Sequence, residues 1–176
     1  ESELFTYLST GFSDKHGVAA GPMGPVVSEL ASLPQSDVRA IAHYLTSLDG
    51  TPQQVATKPP PQIDSQVSLS NGERLFKGAC MACHSDGLGP KLFGASPSMA
   101  VNSNDHSALP DNLLRVVLHG IAHPATPDLG YMPGFKDSLS DRQVADLAAY
   151  LRQRFAGSQP AWEGLLAKGA LVRANP

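Results

Sequence analysis

Cys80-Met81-Ala82-Cys83-His84 uses both cysteines of a 176-residue chain and follows them at once with a histidine. Two thiols separated by two residues lie on one turn of backbone, at the spacing of the two vinyl groups of a porphyrin. Each thiol can add to one vinyl group and form a thioether bond, and the pattern is the attachment signature of c-type haem. His84 then lies under the iron, where an imidazole nitrogen ligates it. Two other readings of Cys-x-x-Cys compete. Half a zinc site needs a second Cys or His pair at suitable spacing, and none follows. A redox dithiol sits in a strand–helix setting and leaves the adjoining His unexplained.

A low-spin haem of this kind takes a sixth ligand, and methionine is the usual soft partner, raising the potential. Met23, Met81, Met99 and Met132 are the candidates. Met81 lies between the anchoring cysteines and points the wrong way for the far haem face. Met99 stands in a polar loop of small residues, Ser96-Pro97-Ser98-Met99, and is the weaker choice. Met132 belongs to Gly130-Tyr131-Met132-Pro133-Gly134-Phe135, a breaker-rich loop that enters a helix. Such a loop folds flat against a ring and holds a thioether over the metal. A Met that merely fills a core gap is the alternative there. Met132 is the expected distal ligand, with Tyr131 beside it at the cofactor.

The local signals are helical. Ser70-Asn71-Gly72-Glu73 has the form of a capping box, followed by Gly72, Leu75, Phe76 and Ala79 at helical spacing, and this helix delivers Cys80. Ser140-Asp141-Arg142-Gln143 opens a second helix with Val144, Leu147, Ala148, Leu151 and Phe155 on one face. Pro110 to His119 is a third, with Pro in a first turn where its missing N–H costs nothing, and Gly120 as the stop. Residues 68–157 are marginal as a bare core, but a covalent haem supplies buried apolar surface. The expected apolar wall is Leu75, Phe76, Leu92, Phe93, Leu113 and Val117. Nothing alternates like a sheet, so the expected class is all-α.

Gly72 through His84, Gly87-Leu88-Gly89-Pro90, Met132-Pro133-Gly134-Phe135 and Leu147-Ala148-Ala149-Tyr150-Leu151 together resemble a class I cytochrome c domain. The resemblance covers about half the chain and implies a helical fold around one covalent haem. It implies that the carbonyl of Pro90 accepts the other ring N–H of His84, fixing its tautomer and raising its basicity. It also implies that Gly72 and Tyr150 mark a close crossing of two helices. The activity implied is electron transfer by iron alternating between ferric and ferrous, with no bond made in a substrate. A haem peroxidase, the competing class, needs an open iron site and a distal acid–base residue; the Met132 loop speaks for a closed one.

Residues 1–50 repeat the end of this domain. With Met23 set on Met132, Leu4 meets Leu113, Gly11 meets Gly120 and Gly21 meets Gly130. After a three-residue insertion, Leu33, Val38, Ala42, Tyr44 and Leu45 meet Leu139, Val144, Ala148, Tyr150 and Leu151. Similarity of this kind means a repeated unit. No Cys-x-x-Cys-His precedes Met23, so residues 1–50 resemble the distal-ligand half of a preceding cytochrome unit. Met23 is then an axial candidate for a haem attached elsewhere, and Leu4, Leu8, Val38, Ile41 and Leu45 are expected to form an open apolar face. Residues 51–67, with Pro52 and Pro59-Pro60-Pro61, read as a semi-rigid linker, residues 68–157 as the complete domain and 158–176 as a tail. The chain is expected to begin inside a longer, exported protein.

Tandem units joined in this way resemble multihaem cytochrome subunits of bacterial periplasmic dehydrogenases, either quinoprotein or flavin alcohol and sugar dehydrogenases or molybdenum hydroxylases. Tyr150 to Ala156 followed by Pro160-Ala161-Trp162 and Leu165 favours the molybdenum-hydroxylase group. The implied place is the periplasm, at the outer face of the inner membrane through partners or other segments. A formal net charge of −3 and the lack of a basic run give nucleic-acid binding no support. No apolar run approaches the roughly eighteen residues of a membrane span. His16, His43, His106, His119 and His123 read as surface or core residues, with His123 nearest the Met132 loop. Arg115 is placed to pair with a haem propionate, or to stand solvated on its helix.

Overall fold

The computed structural model describes residues 1–48, 66–84 and 98–175. Residues 51–65 of the expected linker, and Pro90, Leu92 and Phe93, lie outside these. Among the described residues the fold is helical, as expected, apart from a hairpin of two-residue strands, β1 (Phe12–Ser13) and β2 (Gly17–Val18). Strands this short carry no alternation to read. None of the described helices is long and apolar enough to cross a membrane.

The larger unit is built on α4 (Leu69–Leu75) and α8 (Asp141–Phe155), which cross at Gly72. A methyl group on Gly72 would run into the backbone carbonyl of Asp146 and come within 2.7 Å of Tyr150 Cβ. Only a hydrogen fits, which is why Gly is required at this crossing. Across it, Phe76 packs on Tyr150 and Phe155, with ring centroids 5.8 and 5.6 Å apart. The start of α4 differs from the sequence reading. Its cap is Ser68, not Ser70: the Ser68 hydroxyl accepts from Asn71 N at 3.3 Å. The reason lies far away in the chain. Buried Asp146 accepts from Ser68 N at 2.7 Å and from the side-chain amide Asn71 Nδ2 at 2.6 Å, so the helix begins where that carboxylate meets the free N–H of its cap residue. The second expected box is complete, with Ser140 and Gln143 capping each other's backbone.

α7 (Asp111–His119) packs beside α8 and ends at Gly120, whose φ of 71° is one that glycine adopts without a steric cost. Pro110 is its N-cap rather than its first residue. The region read as a tail is a structural element. α9 (Leu165–Ala174) lies on α7 and α8 and, with Trp162, buries Leu165 and Val172 in the main core. Arg173 locks its end, donating to Asp141 Oδ1 at 2.6 Å, Leu139 O at 2.7 Å and Lys136 O.

The N-terminal residues form α1 (Ser2–Thr10), the hairpin, α2 (Met23–Leu30) and α3 (Gln35–Ser47). α1 and α7 are both nine residues long, and Gly11, with φ 77°, caps α1 from Tyr7 O as Gly120 caps α7 from Val116 O. The expected open apolar face is mostly absent. Leu8 and Val38 are buried with Ala42, and Leu4 and Ile41 pack on them, because α1 folds over α3. The large apolar residues that stay exposed are Tyr44 and Leu45 on α3 and Leu48 just after it.

Candidate functional site

The helix α4 does not run straight into the cysteines. Phe76–Cys80 forms a single π-helical turn before the short helix α5 (Met81–His84). Such turns widen a helix by one residue per turn and are frequent at functional sites. Here the turn leaves Phe76 buried against α8 while Cys80, Cys83 and His84 border a cavity of about 560 Å³. Cys80 is half-buried and Cys83 exposed, and both are free thiols. Burial, with a smaller contribution from Cys83, pushes the Cys80 thiol up to about 11. A redox dithiol needs the opposite, a thiol pKa brought down. Among the described residues no three His, Cys, Asp or Glu side chains gather as a metal site.

Met132 lines the same cavity. Its loop is held by main-chain bonds on both flanks. Ile121 N donates to Met132 O at 2.8 Å and Met132 N to Ile121 O at 3.1 Å. Phe135 N and Lys136 N then donate to Val117 O and Leu118 O at 3.0 and 2.9 Å. The loop lies so close to the end of α7 that side chains are excluded on both sides. A methyl group on Gly120 would strike Met132 O, and one on Gly134 would stand 2.8 Å from Leu118 O. The breaker residues that marked this loop in the sequence are therefore the ones that let it fold flat.

The cavity wall is apolar where Phe76, Leu113, Val117, Leu147 and Leu151 meet it. Of the expected wall, Phe76, Leu113 and Val117 are present; Leu75 packs against the core without lining the cavity. Arg115 is exposed at its border, and Tyr131, 60% exposed, stands beside Met132. Met99 was underrated by the sequence. It is 8% exposed, belongs to the main core and lines the cavity, so two methionines of the larger unit reach it. Met81 is 45% exposed on α5 and does not line it.

The N-terminal unit closes one side. Tyr7, His16 and Gly17 to Met23, apart from Ala19, contribute to the lining. Backbone bonds attach it: Ala125 N to Ala19 O at 2.9 Å and Ser103 N to Lys15 O at 2.8 Å, with Ala20 bridged to Pro124. Met23 therefore borders the same cavity as Met132. His123 is exposed and does not line it, whereas His119, bonded to Val172 O at 3.1 Å, does. A cavity of this size, apolar on its walls and bordered by Cys80, Cys83, His84 and a pinned Met132, fits a flat apolar ring anchored at one edge.

Residues 67–151 match the family described as "Cytochrome C oxidase, cbb3-type, subunit III". The whole chain is 80% identical over 176 residues to a nicotinate dehydrogenase subunit of Pseudomonas putida and spans 15% of that protein's length. It is 32% identical over 184 aligned residues to the fructose dehydrogenase cytochrome subunit of Gluconobacter japonicus, covering 90% of this chain and 37% of that one. Cytochrome c6 of Synechocystis is 35% identical over 85 residues, covering 48% of this chain and 64% of its own. Over the matched residues the chain is similar to c-type cytochromes, among them a relative named as the cytochrome subunit of a dehydrogenase.

Proposed function

We propose that the chain is an electron-transfer cytochrome and carries one haem c, which Cys80 and Cys83 would attach and whose iron His84 and Met132 would hold. The observation that carries this is the shared apolar cavity on which the two thiols, His84 and the pinned Met132 loop converge. Bound haem supplies one-electron exchange. The protein's own residues do the rest. Cys80 and Cys83 would anchor one edge, His84 and Met132 would hold the iron against added ligands, and the cavity-lining Phe76, Leu113, Val117, Leu147 and Leu151 would keep water away. Exclusion of water and the thioether ligand both hold the potential up.

The electron donor in this reading is a periplasmic dehydrogenase of the molybdenum-hydroxylase type, supported by the likeness to the Pseudomonas putida nicotinate dehydrogenase subunit. The acceptor is a further haem, a quinone or an oxidase. A quinone-dependent alcohol dehydrogenase is the second reading, favoured by relatives of about 30% identity with that name. Residues 1–50 are the Met-bearing half of a second cytochrome unit, which the matched lengths and glycine caps of α1 and α7 support. Met23 is then an axial ligand for that unit's own haem.

Denaturing mass spectrometry of the loaded chain should show the polypeptide plus one haem; two haems, or one extractable by acid–acetone, would overturn the attachment. Met132→Ala should remove the near-infrared Met–Fe(III) band and lower the potential, while Met99→Ala keeps both. The reverse pattern would move the ligand to Met99. Reduction by a nicotinate-fed or an alcohol-fed donor dehydrogenase separates the two donor readings.

A further inference from the structure

Asp105 is 0% exposed, on the short helix α6 (Ser103–His106), and among the described residues neither of its carboxylate oxygens has a hydrogen-bond partner. Buried carboxylates are ordinarily bonded through both oxygens or paired with a cation. The nearby cation is spent elsewhere. Arg152 of α8 donates Nε to Pro160 O at 2.8 Å and a terminal nitrogen to the backbone carbonyl of Asp105 at 2.6 Å. Its guanidinium lies 4.4 Å from the ring centre of Trp162. Arg152 thus fixes the main chain of Asp105 and leaves the carboxyl group unbonded.

The turn that carries Asp105 is held from several sides. The Asn102 side chain caps it at Asn104 N, 2.9 Å away, Asn112 Nδ2 donates to Asn104 Oδ1 at 2.6 Å, and Trp162 Nε1 donates to Ser107 O at 3.1 Å. Asp105 borders the same cavity as Cys80, His84 and Met132, within a polar stretch of lining that includes Asn102, Asn104, Asn112 and Arg115. Arg152 on α8 is the charged group that acts on it; the other charged or titratable residues bordering the cavity are Arg115 and His119 on α7, His16, Tyr7, Tyr131, Cys80, Cys83 and His84, and His106 lies on its own turn.

We propose that Asp105 is a proton site coupled to the electron, taking up a proton when the haem iron is reduced and releasing it when the iron is oxidised. The proposal rests on the haem reading above. When the iron accepts one electron from the reduced donor, Asp105 takes one proton from solvent and forms one O–H bond; oxidation breaks that bond and returns the proton. No bond to the porphyrin changes. The direction follows from charge: ferrous iron carries one positive charge fewer, so it holds an anionic carboxylate less well than ferric iron does. Burial, opposed by Arg152, pushes the Asp105 carboxyl up to about 7, so the titration falls in the neutral range. Raising the pH through that range ionises Asp105, favours ferric iron and lowers the potential.

The test is the midpoint potential of the haem-loaded chain, followed by spectroelectrochemistry from about pH 5 to 9. The redox equilibrium constant should fall roughly tenfold across the range, about 59 mV for a one-electron couple. Asp105→Asn should remove at least half of that fall, and Asp105→Glu should keep it. In redox-difference infrared spectra of the wild type, a protonated carboxylic acid band should appear on reduction and be missing in Asp105→Asn. An attached low-spin haem whose potential has the same pH slope in Asp105→Asn overturns this proposal alone. If the variant does not fold, a wild-type infrared spectrum without that band on reduction overturns it equally. A wild-type chain without attached haem overturns the haem reading and this one with it.

Discussion

α3 and α8 carry corresponding residues in the same order and meet different surroundings. Val38 and Ala42 of α3 are buried just as Val144 and Ala148 of α8 are. Leu45 is 40% exposed where Leu151 is 3% exposed, and Tyr44 is 62% exposed where Tyr150 packs on Phe76. The two helices differ in what lies across them. α8 is crossed by α4 at Gly72 and flanked by α7 and α9, whereas among the described residues α3 packs chiefly on α1. The contrast extends to one polar position: Asp146 caps α4, and its counterpart on α3 is the exposed Ala40. An apolar pattern determines which face of a helix can be buried. A neighbouring helix determines whether it is.

The largest test of this contrast is a pair of truncations. Leu151→Ala should cost about 3 kcal/mol in denaturant unfolding, while Leu45→Ala should cost under about 1 kcal/mol. Equal costs would break the comparison. In a longer polypeptide supplying the other half of the N-terminal unit, the cost of Leu45→Ala should rise toward that of Leu151→Ala, which would sharpen it. Next comes Gly72→Ala. Its methyl group meets main-chain atoms of α8 that cannot swing aside, so about 2–3 kcal/mol should be lost. Asp146→Ala leaves Ser68 N–H and the Asn71 amide without their shared acceptor, at about 2 kcal/mol. Calorimetry of this variant beside Ala40→Ser, which should be neutral, isolates the capping role. Smallest is Tyr44→Ser, expected within about 0.5 kcal/mol of the parent. A large loss there would mean that α3 already has a partner on that face.

Local chemistry explains which features were legible beforehand. The Cys80–His84 motif, the Ser140 cap, the Gly120 stop and the Gly72–Tyr150 crossing are each written in residues close together or in a known family pattern. The features that escaped are those decided at a distance. Ser68 and Ser70 both precede a plausible helix start, and the choice is made by Asp146 on another helix. Met99 sits in a stretch of small polar residues, and nothing nearby announces that it joins the main core. Asp105 reads as one more turn residue until Arg152 and Trp162 enclose its surroundings. α9 mixes Leu, Ala and Gly with too little polar contrast to show a face, and its position rests on Arg173 reaching back to Asp141. The N-terminal unit shows the converse. Its apolar residues were recognised, but their burial within α1 and α3 depends on packing that the pattern alone does not specify.

On the proposed ligand reading, the doubled main-chain link between Ile121 and Met132 bears on how Met132 would leave the iron. A thioether on a free loop departs by rotating its own side chain, one residue at a time. Here the Met132 backbone is stitched to Ile121 in both directions and continued by the bonds of Phe135 and Lys136 to α7. Displacing the loop therefore opens all four amides together, as one small cooperative unit. Hydrogen exchange should report a single shared opening energy for Ile121, Met132, Phe135 and Lys136.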